Sequence, residues 1–488
     1  MKVILINSAS SITESMSRVR RAMSLMLPPA GIAYIGAVLE ENGIDAKVID
    51  QIGGNLDSWE VVKIIEQESP EIIGFSCLIH NMGMVKKAIE EIRELNKGIK
   101  IVLGNIYATI FADELLREGT GDIVVRGEGE YSMLELVLAL DRGKGLQDIK
   151  GISFIENGRI YHNPEGENIE NLDELPYPAW HLLNLEYYRA IPLVFLNDIA
   201  LTIRASRGCP YHCIFCSQDK IYKRPRYRKV KNVVNEIKFM RDKFRVSNFI
   251  FTDAYFPFSV EYGLEFCDEL IRWGLHKKIK WYIETRVDKV NLKLLKRMKE
   301  AGLCLIFYGF EVGNQKVLDS LKKGTTLEQA RKAMRDTKKA RILANGLFML
   351  GMPEETRKTC EETIRFAKEL DCDIAKFNIA MPFPGSKFFE DYKDRLDDIL
   401  QKPEKFDSWY NWASYSGELA YTPKGMSSRD LINLQRKAMF QFYMRPRLIM
   451  RHIIKRMVPL KNLLFGVCVL LVDYLKIVFD KFTLKYKH

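Results

Sequence analysis

Three closely spaced cysteines are the residues of this chain best suited to metal chemistry. Cys209, Cys213 and Cys216 form a C-x3-C-x2-C pattern within the stretch SRGCPYHCIFCSQ. Three thiolates on one short loop can bind three irons of a [4Fe-4S] cluster, which leaves the fourth iron without a protein ligand. An open iron can chelate a substrate or a cofactor, so the missing fourth cysteine points to chemistry at the cluster.

A structural zinc site is the alternative for the same thiols. Zinc sites close with four ligands, commonly two CxxC pairs. The sequence has no second pair, and His212 stands directly beside Cys213, where it is poorly placed as a fourth ligand. The pattern therefore favours the cluster. We expect the other cysteines to be isolated, small apolar residues: Cys77, Cys267, Cys304, Cys360, Cys372 and Cys468.

The first part of the chain alternates between apolar runs and amphipathic stretches. The runs predict five strands, at Val3–Ile6, Ala46–Ile49, Ile72–Ser76, Ile101–Gly104 and Asp122–Val125. Strands that alternate with helices in this way are typical of a doubly wound parallel sheet. Ligands of such sheets bind at the carboxyl ends of the strands. Glycines there let a backbone approach a bulky ligand closely.

A second alternating series surrounds the cysteines. It predicts six strands, at Ala200–Ile203, Asn248–Thr252, Lys280–Glu284, Cys304–Gly309, Leu343–Leu350 and Ile374–Ala380. Six βα units indicate an incomplete parallel barrel, in which catalytic groups lie at the carboxyl ends of the strands. The cysteine loop directly follows the first of these strands.

We expect an α/β protein with four segments. Residues 1–145 form the doubly wound domain, and residues 146–195 are a linker that contains the proline-rich stretch LDELPYPAW. Residues 196–390 form the partial barrel, and residues 391–488 form a helical C-terminal region.

Composition and charge exclude several classes of protein. Of the 488 residues, 47 % are hydrophobic and 28 % are charged, which excludes general disorder. Residues 441–488 hold ten Lys and Arg against two Asp, a net +8 of the total +11. The rest of the chain is near neutral, which argues against a nucleic-acid partner. The sparse cysteines and the strand-like start MKVILIN favour a cytoplasmic location.

The basic C-terminal segment has an amphipathic pattern. Basic and apolar residues repeat on two faces of one helix: Arg447, Arg451 and Lys455 on one, and Ile449, Ile453 and Met457 on the other. The uncharged stretch 462–472 that follows is too short to span a bilayer. The pattern predicts peripheral contact with the inner face of the membrane. The alternative is a terminal helix pair that packs on the barrel.

The cysteine pattern, with Phe215 before its third thiol, resembles the radical S-adenosylmethionine (SAM) enzymes. Segments along nearly the whole chain resemble the members that also bind cobalamin: PPAGIAYIGAVLEENGIDAKVID, DIVVRGEGE, LDELPYPAW, FTDAYF, IETRVDKVN, LLKRMKEAG, FYGFEVGNQKVLDSLKKG, GLFMLGMPEET and MPFPGS. In that family SAM chelates the open iron, and one electron from the cluster cleaves it to a 5′-deoxyadenosyl radical. The resemblance also implies an electron donor of the flavodoxin or ferredoxin type.

The resemblance implies roles for particular residues. It assigns Cys209, Cys213 and Cys216 to the cluster, Phe215 to the adenine, Asp253 to the methionine end of SAM, Arg286 and Glu311 to the same cavity as catalytic candidates, and Gly351 and Pro353 to a turn beside the adenine. Structural alternatives exist for most of them. Phe215 could pack in the core, Asp253 could cap the following turn, and Arg286 could pair with Glu311 across the barrel mouth.

The resemblance also implies a cobalamin site on the first sheet. The residues it assigns there are Ser76, Gly104, Asn105, Gly127, Glu128 and Gly129. Two departures stand out, since Ala254 replaces a second acid and Gly104-Asn105-Ile106-Tyr107 replaces the Gly-Gly-x-His string of many relatives. The chain also lacks the Asp-x-His-x-x-Gly string of other cobalamin proteins, and His80 is expected to be an ordinary loop residue. Without cobalamin, the domain would be a scaffold or a substrate-docking unit.

The resemblance implies a methyltransferase that acts on an unactivated carbon. Together with the tail, it favours a small hydrophobic, lipid-like or secondary-metabolite substrate. A radical SAM enzyme that forms rings, couples carbons or oxidises without methyl transfer is the first alternative. A non-catalytic, metal-binding membrane-associated protein is the second, and the intact cysteine pattern argues against it.

Overall fold

The computed structural model describes residues 1–10, 27–96, 98–188, 199–395, 419–454, 466, 468 and 470–472. Within them, two sheets with parallel strands are followed by C-terminal helices. The strands expected in both alternating series are present, with ends that differ from the expected ones by no more than two residues.

The N-terminal sheet is doubly wound. Its elements in chain order are β1 (Lys2–Asn7), α1 (Ala30–Glu41), β2 (Asp45–Asp50), α2 (Ser58–Glu68), β3 (Ile72–Ser76), α3 (Met82–Leu95), β4 (Lys100–Gly104), α4 (Asn105–Ile110), α5 (Ala112–Arg117), β5 (Ile123–Val125), α6 (Glu130–Asp141), β6 (Ile152–Glu156) and β7 (Arg159–His162). The strand order is β2-β1-β3-β4-β5-β6-β7, and β1 to β5 are parallel. The order reverses direction between β1 and β3, which is where such sheets bind ligands.

The apolar run of β1 is explained by helices on both faces of this sheet. Val3 and Leu5 contribute to a core with α1 and α6, whereas Ile4 and Ile6 contribute to a core with α2 to α5. Successive side chains of a strand point to opposite faces. A strand buried on both faces therefore has no alternation of polar and apolar residues.

The sheet continues past residue 145, where we expected the first domain to end. Strands β6 and β7 form an antiparallel hairpin that pairs with β5. The segment that we expected to be a linker, residues 146–195, therefore contains two strands of the first sheet.

The second sheet is an open set of six parallel strands. The elements are β8 (Ala200–Ile203), β9 (Ser206–Arg207), β10 (Arg226–Tyr227), α7 (Val230–Phe244), β11 (Asn248–Phe251), α8 (Val260–Arg272), β12 (Lys280–Thr285), α9 (Leu292–Glu300), β13 (Leu303–Glu311), α10 (Gln315–Ser320), α11 (Leu327–Lys339), β14 (Leu343–Leu350), α12 (Arg357–Leu370), β15 (Ile374–Ile379) and α13 (Lys387–Tyr392). The order β8-β11-β12-β13-β14-β15 follows the chain, and β9 and β10 pair only with each other. This is the expected partial barrel.

The C-terminal helix α14 (Ser428–Tyr443) covers the open edge of the barrel at β15. The Tyr443 hydroxyl accepts from the Ala375 backbone N–H at 3.1 Å and donates to its carbonyl at 2.8 Å. The Gln435 side chain donates to the carbonyl of Phe377 at 2.7 Å. An uncovered edge strand invites pairing with another chain. These side chains therefore close the edge without a seventh strand.

Helix α15 (Pro446–Ile454) docks on the barrel with one face. Leu448 and His452 are buried, and Arg451 pairs with Asp371 and Asp373 at 2.5 and 3.4 Å. The sequence pattern predicted that Arg451 lies on a free basic face of the helix. In the structure Arg451 instead pairs with the barrel. The expected continuation of both stripes at Lys455 and Met457 lies outside the described residues.

A stability prediction follows from burial in the barrel sheet. Ile283 in β12 is 0 % exposed. We expect Ile283→Ala to lower the free energy of unfolding by about 2–5 kcal/mol, because the lost contacts leave a cavity. Chemical denaturation followed by circular dichroism measures this loss.

The matched control is Ile155→Ala in β6, where the side chain is 41 % exposed. It should change the free energy of unfolding by no more than about 0.5 kcal/mol. Equal losses in the two variants would contradict the assigned core.

Candidate active site

The cysteine loop lies between β9 and β10, at the carboxyl end of the first barrel strand. Gly208, which opens the loop, has a φ of +85°, and a Cβ there would lie 2.3 Å from the carbonyl oxygen of Arg224. Only glycine fits this position. The Cys216 backbone N–H donates to the carbonyl of Cys213 at 3.0 Å, and all three thiols line one cavity. The loop therefore gathers the three cysteines at the barrel mouth.

Three thiols on the wall of one cavity are a donor set that fits a [4Fe-4S] cluster. Within the described residues, no three His, Cys, Asp or Glu side chains converge on one metal-ion position. Zinc needs all its ligands on one ion, whereas a [4Fe-4S] cluster binds each thiolate to a different iron. Burial raises the pKa of Cys213 to about 11, so its thiolate form depends on the charge of a bound metal.

The cavity at the barrel mouth has a volume of about 590 Å³ and is open to solvent. Its walls come from the carboxyl ends of β8, β11, β12 and β13. Aromatic side chains form much of it: Tyr211, Phe215, Tyr222, Tyr255 and Phe383. Phe215 lines the cavity and also packs against a buried apolar cluster, so it has a packing role, and its contact with the adenine stays a prediction.

Arg286 and Glu311 both line the cavity but do not pair with each other. Arg286 donates to Asp288 at 2.9 Å and lies over the ring of Tyr211, with its guanidinium carbon 3.5 Å from the ring centre. Glu311 pairs with Lys323, whose ammonium also donates to the carbonyl of Gly309 at 2.7 Å. Arg286 and Glu311 therefore each lie at the cavity wall beside a separate counter-ion, Asp288 and Lys323. The alternative, an ion pair between Arg286 and Glu311, does not form.

Glu311 also has an unusual backbone. Its φ is +65°, and the pairing of β13 with β14 shifts register between Gly309 and Glu311. Residues other than glycine rarely adopt this backbone conformation, and such backbone strain occurs frequently at functional sites. The bulge turns the end of β13 so that the Glu311 side chain reaches the cavity.

Asp253 is not among the residues that line the cavity. Its carboxylate accepts from the Ala205 N–H at 3.0 Å and the Ser206 hydroxyl at 2.6 Å. Burial raises its pKa to about 6. Asp253 thus holds the start of the cysteine loop against the end of β11, and its contact with SAM stays a prediction.

Gly351 and Pro353 also lie away from the cavity wall. The Gly351 N–H donates to the Glu355 carboxylate at 2.7 Å, and a Cβ on Gly351 would lie 2.8 Å from Leu431 of α14. The small residue is needed for helix packing. The adenine contact expected of this turn stays a prediction.

A second cavity, of about 140 Å³ and open to solvent, lies at the reversal point of the N-terminal sheet. It is lined by all six residues expected to hold cobalamin: Ser76, Gly104, Asn105, Gly127, Glu128 and Gly129. Asn105 has a φ of +75° and donates to the Ser76 hydroxyl at 3.0 Å. The two cavities share Asn105, Ile221 and Tyr222, so the N-terminal cleft adjoins the barrel mouth.

The carboxylate of Glu128 is not available to a ligand. It accepts from Arg207 at 2.9 Å and from Arg226 at 2.6 Å, and only the remainder of the residue lines the cleft. Sequence reasoning missed both arginines. Their only sequence signal is that Arg207 stands two residues before Cys209.

Comparisons with known proteins agree with these two sites. Residues 203–367 match the Radical SAM superfamily model, and residues 19–137 match the B12 binding domain model. The "Uncharacterized methyltransferase PH0819" of Pyrococcus horikoshii is 32 % identical over 93 % of this chain and 95 % of its own length. The chain belongs to the cobalamin-binding radical SAM enzymes.

Other relatives of this radical SAM enzyme differ in the reaction they are named for. The anaerobic magnesium-protoporphyrin IX monomethyl ester cyclase of Rubrivivax gelatinosus is 33 % identical over 76 % of this chain and 67 % of its own. The solved structure of the methyltransferase TsrM from Kitasatospora setae, with cobalamin and a [4Fe-4S] cluster bound, shares the fold. Its TM-score is 0.67 at 19 % identity, over 81 % of this chain and 78 % of that one.

Family membership gives the enzyme its cofactors: a [4Fe-4S] cluster, SAM and cobalamin. The N-terminal cleft fits cobalamin, because its glycines leave space. A Cβ on Gly127 would meet no protein atom within 4 Å, and one on Gly104 would meet none closer than 3.9 Å. Within the described residues, no histidine lines either cavity. His80 lies in the turn between β3 and α3, as expected of a loop residue.

The cysteine assignment can be tested by substitution. In the variant Cys209→Ala, Cys213→Ala, Cys216→Ala we expect no cluster and no SAM cleavage, because no thiolate remains to hold the irons. Iron content and 5′-deoxyadenosine formation under anaerobic conditions measure this.

The control is Cys304→Ala in β13, which changes a partly buried thiol outside the loop. It should keep both cluster and cleavage. Cleavage by the triple variant would refute the site.

Proposed function

We propose that this enzyme transfers a methyl group to an unactivated carbon of a hydrophobic, lipid-like substrate. The observation that carries the proposal is the junction of the cobalamin cleft and the barrel mouth at Asn105, Ile221 and Tyr222. When bound, the cluster and SAM supply a radical that removes a hydrogen atom from carbon, and cobalamin supplies the methyl group. A substrate at the junction would be within reach of both.

The cavity residues bind and orient SAM and the substrate, and once these fill the open cavity they exclude water. Arg286 and Glu311 provide one cation and one anion at the barrel mouth, which complements the carboxylate and ammonium of the methionine part of SAM. The aromatic wall, formed by Tyr211, Phe215, Tyr255 and Phe383 among others, favours an apolar substrate. Such a wall also keeps water away from a reactive radical.

A radical reaction without methyl transfer is the second candidate. It is favoured by the 33 % identity with the cyclase that acts on magnesium-protoporphyrin IX monomethyl ester. It needs the same cluster and the same SAM site. The two candidates differ in the fate of SAM, because only a methyltransferase consumes a second SAM as methyl donor.

The two products of SAM distinguish these candidates. We expect holoenzyme with SAM and a one-electron reductant to form S-adenosylhomocysteine as well as 5′-deoxyadenosine, the former in about one equivalent per bound cobalamin before turnover. Chromatography with mass detection quantifies both. Protein prepared without cobalamin is the control and should form no S-adenosylhomocysteine.

Formation of 5′-deoxyadenosine alone by the cobalamin-loaded enzyme would contradict methyl transfer and favour the second candidate. In either case a flavodoxin or ferredoxin is the proposed electron donor.

We also propose that the C-terminal helix contacts an anionic lipid surface on the cytoplasmic side of the membrane. The face of α15 opposite the barrel exposes Arg447 together with three apolar side chains, Met450, Ile453 and Ile454, at 53, 44 and 72 %. Residues 441–488 carry a net +8. Within the described residues, no helix meets the length and hydropathy needed to cross a bilayer. Apolar side chains beside excess basic charge favour peripheral binding.

Vesicle binding tests this contact. Met450→Ser, Ile453→Ser, Ile454→Ser should reduce binding to vesicles that contain phosphatidylglycerol by on the order of tenfold or more, because each lost side chain removes buried apolar area. Cosedimentation measures the bound fraction.

The matched control replaces three exposed apolar residues of the N-terminal domain: Trp59→Ser, Leu95→Ser and Ile155→Ser. It should bind as the parent does. Unchanged binding of the α15 variant would contradict the lipid contact.

A further inference from the structure

We propose that a buried ion cluster, formed by Glu128, Glu130, Arg207 and Arg226, sets the position of the cobalamin cleft relative to the iron–sulfur loop. We call these four residues the domain clamp. The inference rests on the proposed function, because it concerns the distance between the two cofactors that function requires.

The clamp joins the two domains through hydrogen bonds with defined geometry. Glu128 accepts from Arg207 at 2.9 Å through Oε1, and from Arg226 at 3.1 Å through Oε1 and 2.6 Å through Oε2. Its Oε2 also accepts from the Ile169 N–H at 2.9 Å. Glu130 accepts from the second nitrogen of Arg207 at 2.5 Å. Bidentate arginine–carboxylate pairs fix orientation as well as distance.

The position of the clamp in the chain connects it to both cofactor sites. Glu128 lies between Gly127 and Gly129, which line the cobalamin cleft. Arg207 stands two residues before Cys209, and Gly208 is the only residue between them. A shift of the clamp would therefore move the glycine loop and the cysteine loop relative to each other.

The two arginines need the carboxylate between them. Arg207 and Arg226 are directly opposite each other in the β9–β10 ribbon, and like charges in that position repel. Burial alone raises the pKa of Glu128, but the hydrogen bonds and charges of Arg226 and Arg207 outweigh it and hold that pKa below its usual value. Glu128 is thus ionised, and with Glu130 it balances the charge of both arginines.

The energetics of burial favour a positioning role. The side chains of Glu128 and Arg207 are 2 and 3 % exposed, and those of Glu130 and Arg226 are 6 % exposed. Buried ion pairs add little net stability compared with apolar contacts, because desolvation offsets their attraction. An apolar contact would hold the domains together with less directional constraint. What the clamp adds is a fixed geometry, which a reaction between two cofactors requires.

The clamp also extends to the junction of the two cavities. The guanidinium of Arg207 lies 5.3 Å from the ring centre of Tyr34 in α1 and 5.9 Å from that of Tyr222. Tyr222 lines both cavities and accepts a hydrogen bond from Arg204 at 2.7 Å. The same arginine that binds Glu128 thus contacts a wall residue shared by the cofactor sites.

The magnetic interaction between the two cofactors tests the proposal. In holoenzyme with a reduced cluster and cob(II)alamin, the two unpaired spins split each other's EPR signals to an extent set by their separation. We expect a resolved splitting in the parent protein. In Glu128→Gln we expect loss of that resolved splitting at unchanged iron and cobalamin content, because two buried guanidiniums then share one carboxylate.

The matched control is Glu236→Gln in α7. Glu236 is 1 % exposed and pairs with Arg228 within the barrel, so its loss disturbs a buried ion pair without touching the glycine loop. It should lower the melting temperature and keep the splitting of the parent. A purely structural role of the clamp would give the two variants the same spectrum.

Should Glu128→Gln fail to fold, Arg226→Lys provides the test, since it keeps the charge but loses the two-nitrogen contact; it must then show the loss of splitting. A splitting like that of the parent in a folded clamp variant would overturn the clamp alone. A parent protein that binds no cobalamin would overturn the clamp and the proposed function together.

Discussion

The convergence of strand ends is the constraint on which the rest of this structure depends. Parallel strands place all their carboxyl ends at one edge of a sheet. In this enzyme the edges of two sheets meet, so that the glycine loops of one and the cysteine loop of the other share wall residues such as Tyr222. A single chain can thus bring two large cofactors to one reaction space without a long mobile arm.

Several residues at the barrel mouth serve to position the cysteine loop. Asp253, which we expected at SAM, holds the root of the cysteine loop. Gly208 permits the turn into that loop, and Arg286 stacks on Tyr211 between two of its cysteines. These contacts explain why the three thiols can stay partly accessible and yet be held in one arrangement. Accessibility is needed for the cofactors, and order is needed for the chemistry.

Sequence reasoning predicted the fold well, because a parallel strand buried on both faces is a continuous apolar run such as Val3–Ile6. It missed β6 and β7 because they are short and because the last two residues of β6 and three of the four residues of β7 are exposed. Every residue predicted for the cobalamin site lines the cleft. The sequence could predict this because the position of a residue at a strand end is enough to place it at the cleft. The arginine that pairs with a given carboxylate cannot be predicted from strand ends. Glu128 binds Arg207 and Arg226, which lie 79 and 98 residues further along the chain.

The most direct test of the account is to ask whether one chain holds both cofactors. Protein purified without oxygen, after growth with cobalamin, can be examined by absorption and by EPR before and after reduction. We predict the signals of cob(II)alamin and of a reduced [4Fe-4S] cluster in the same sample, each close to one per chain. A cluster without cobalamin, or zinc in place of iron at the three cysteines, would contradict the account.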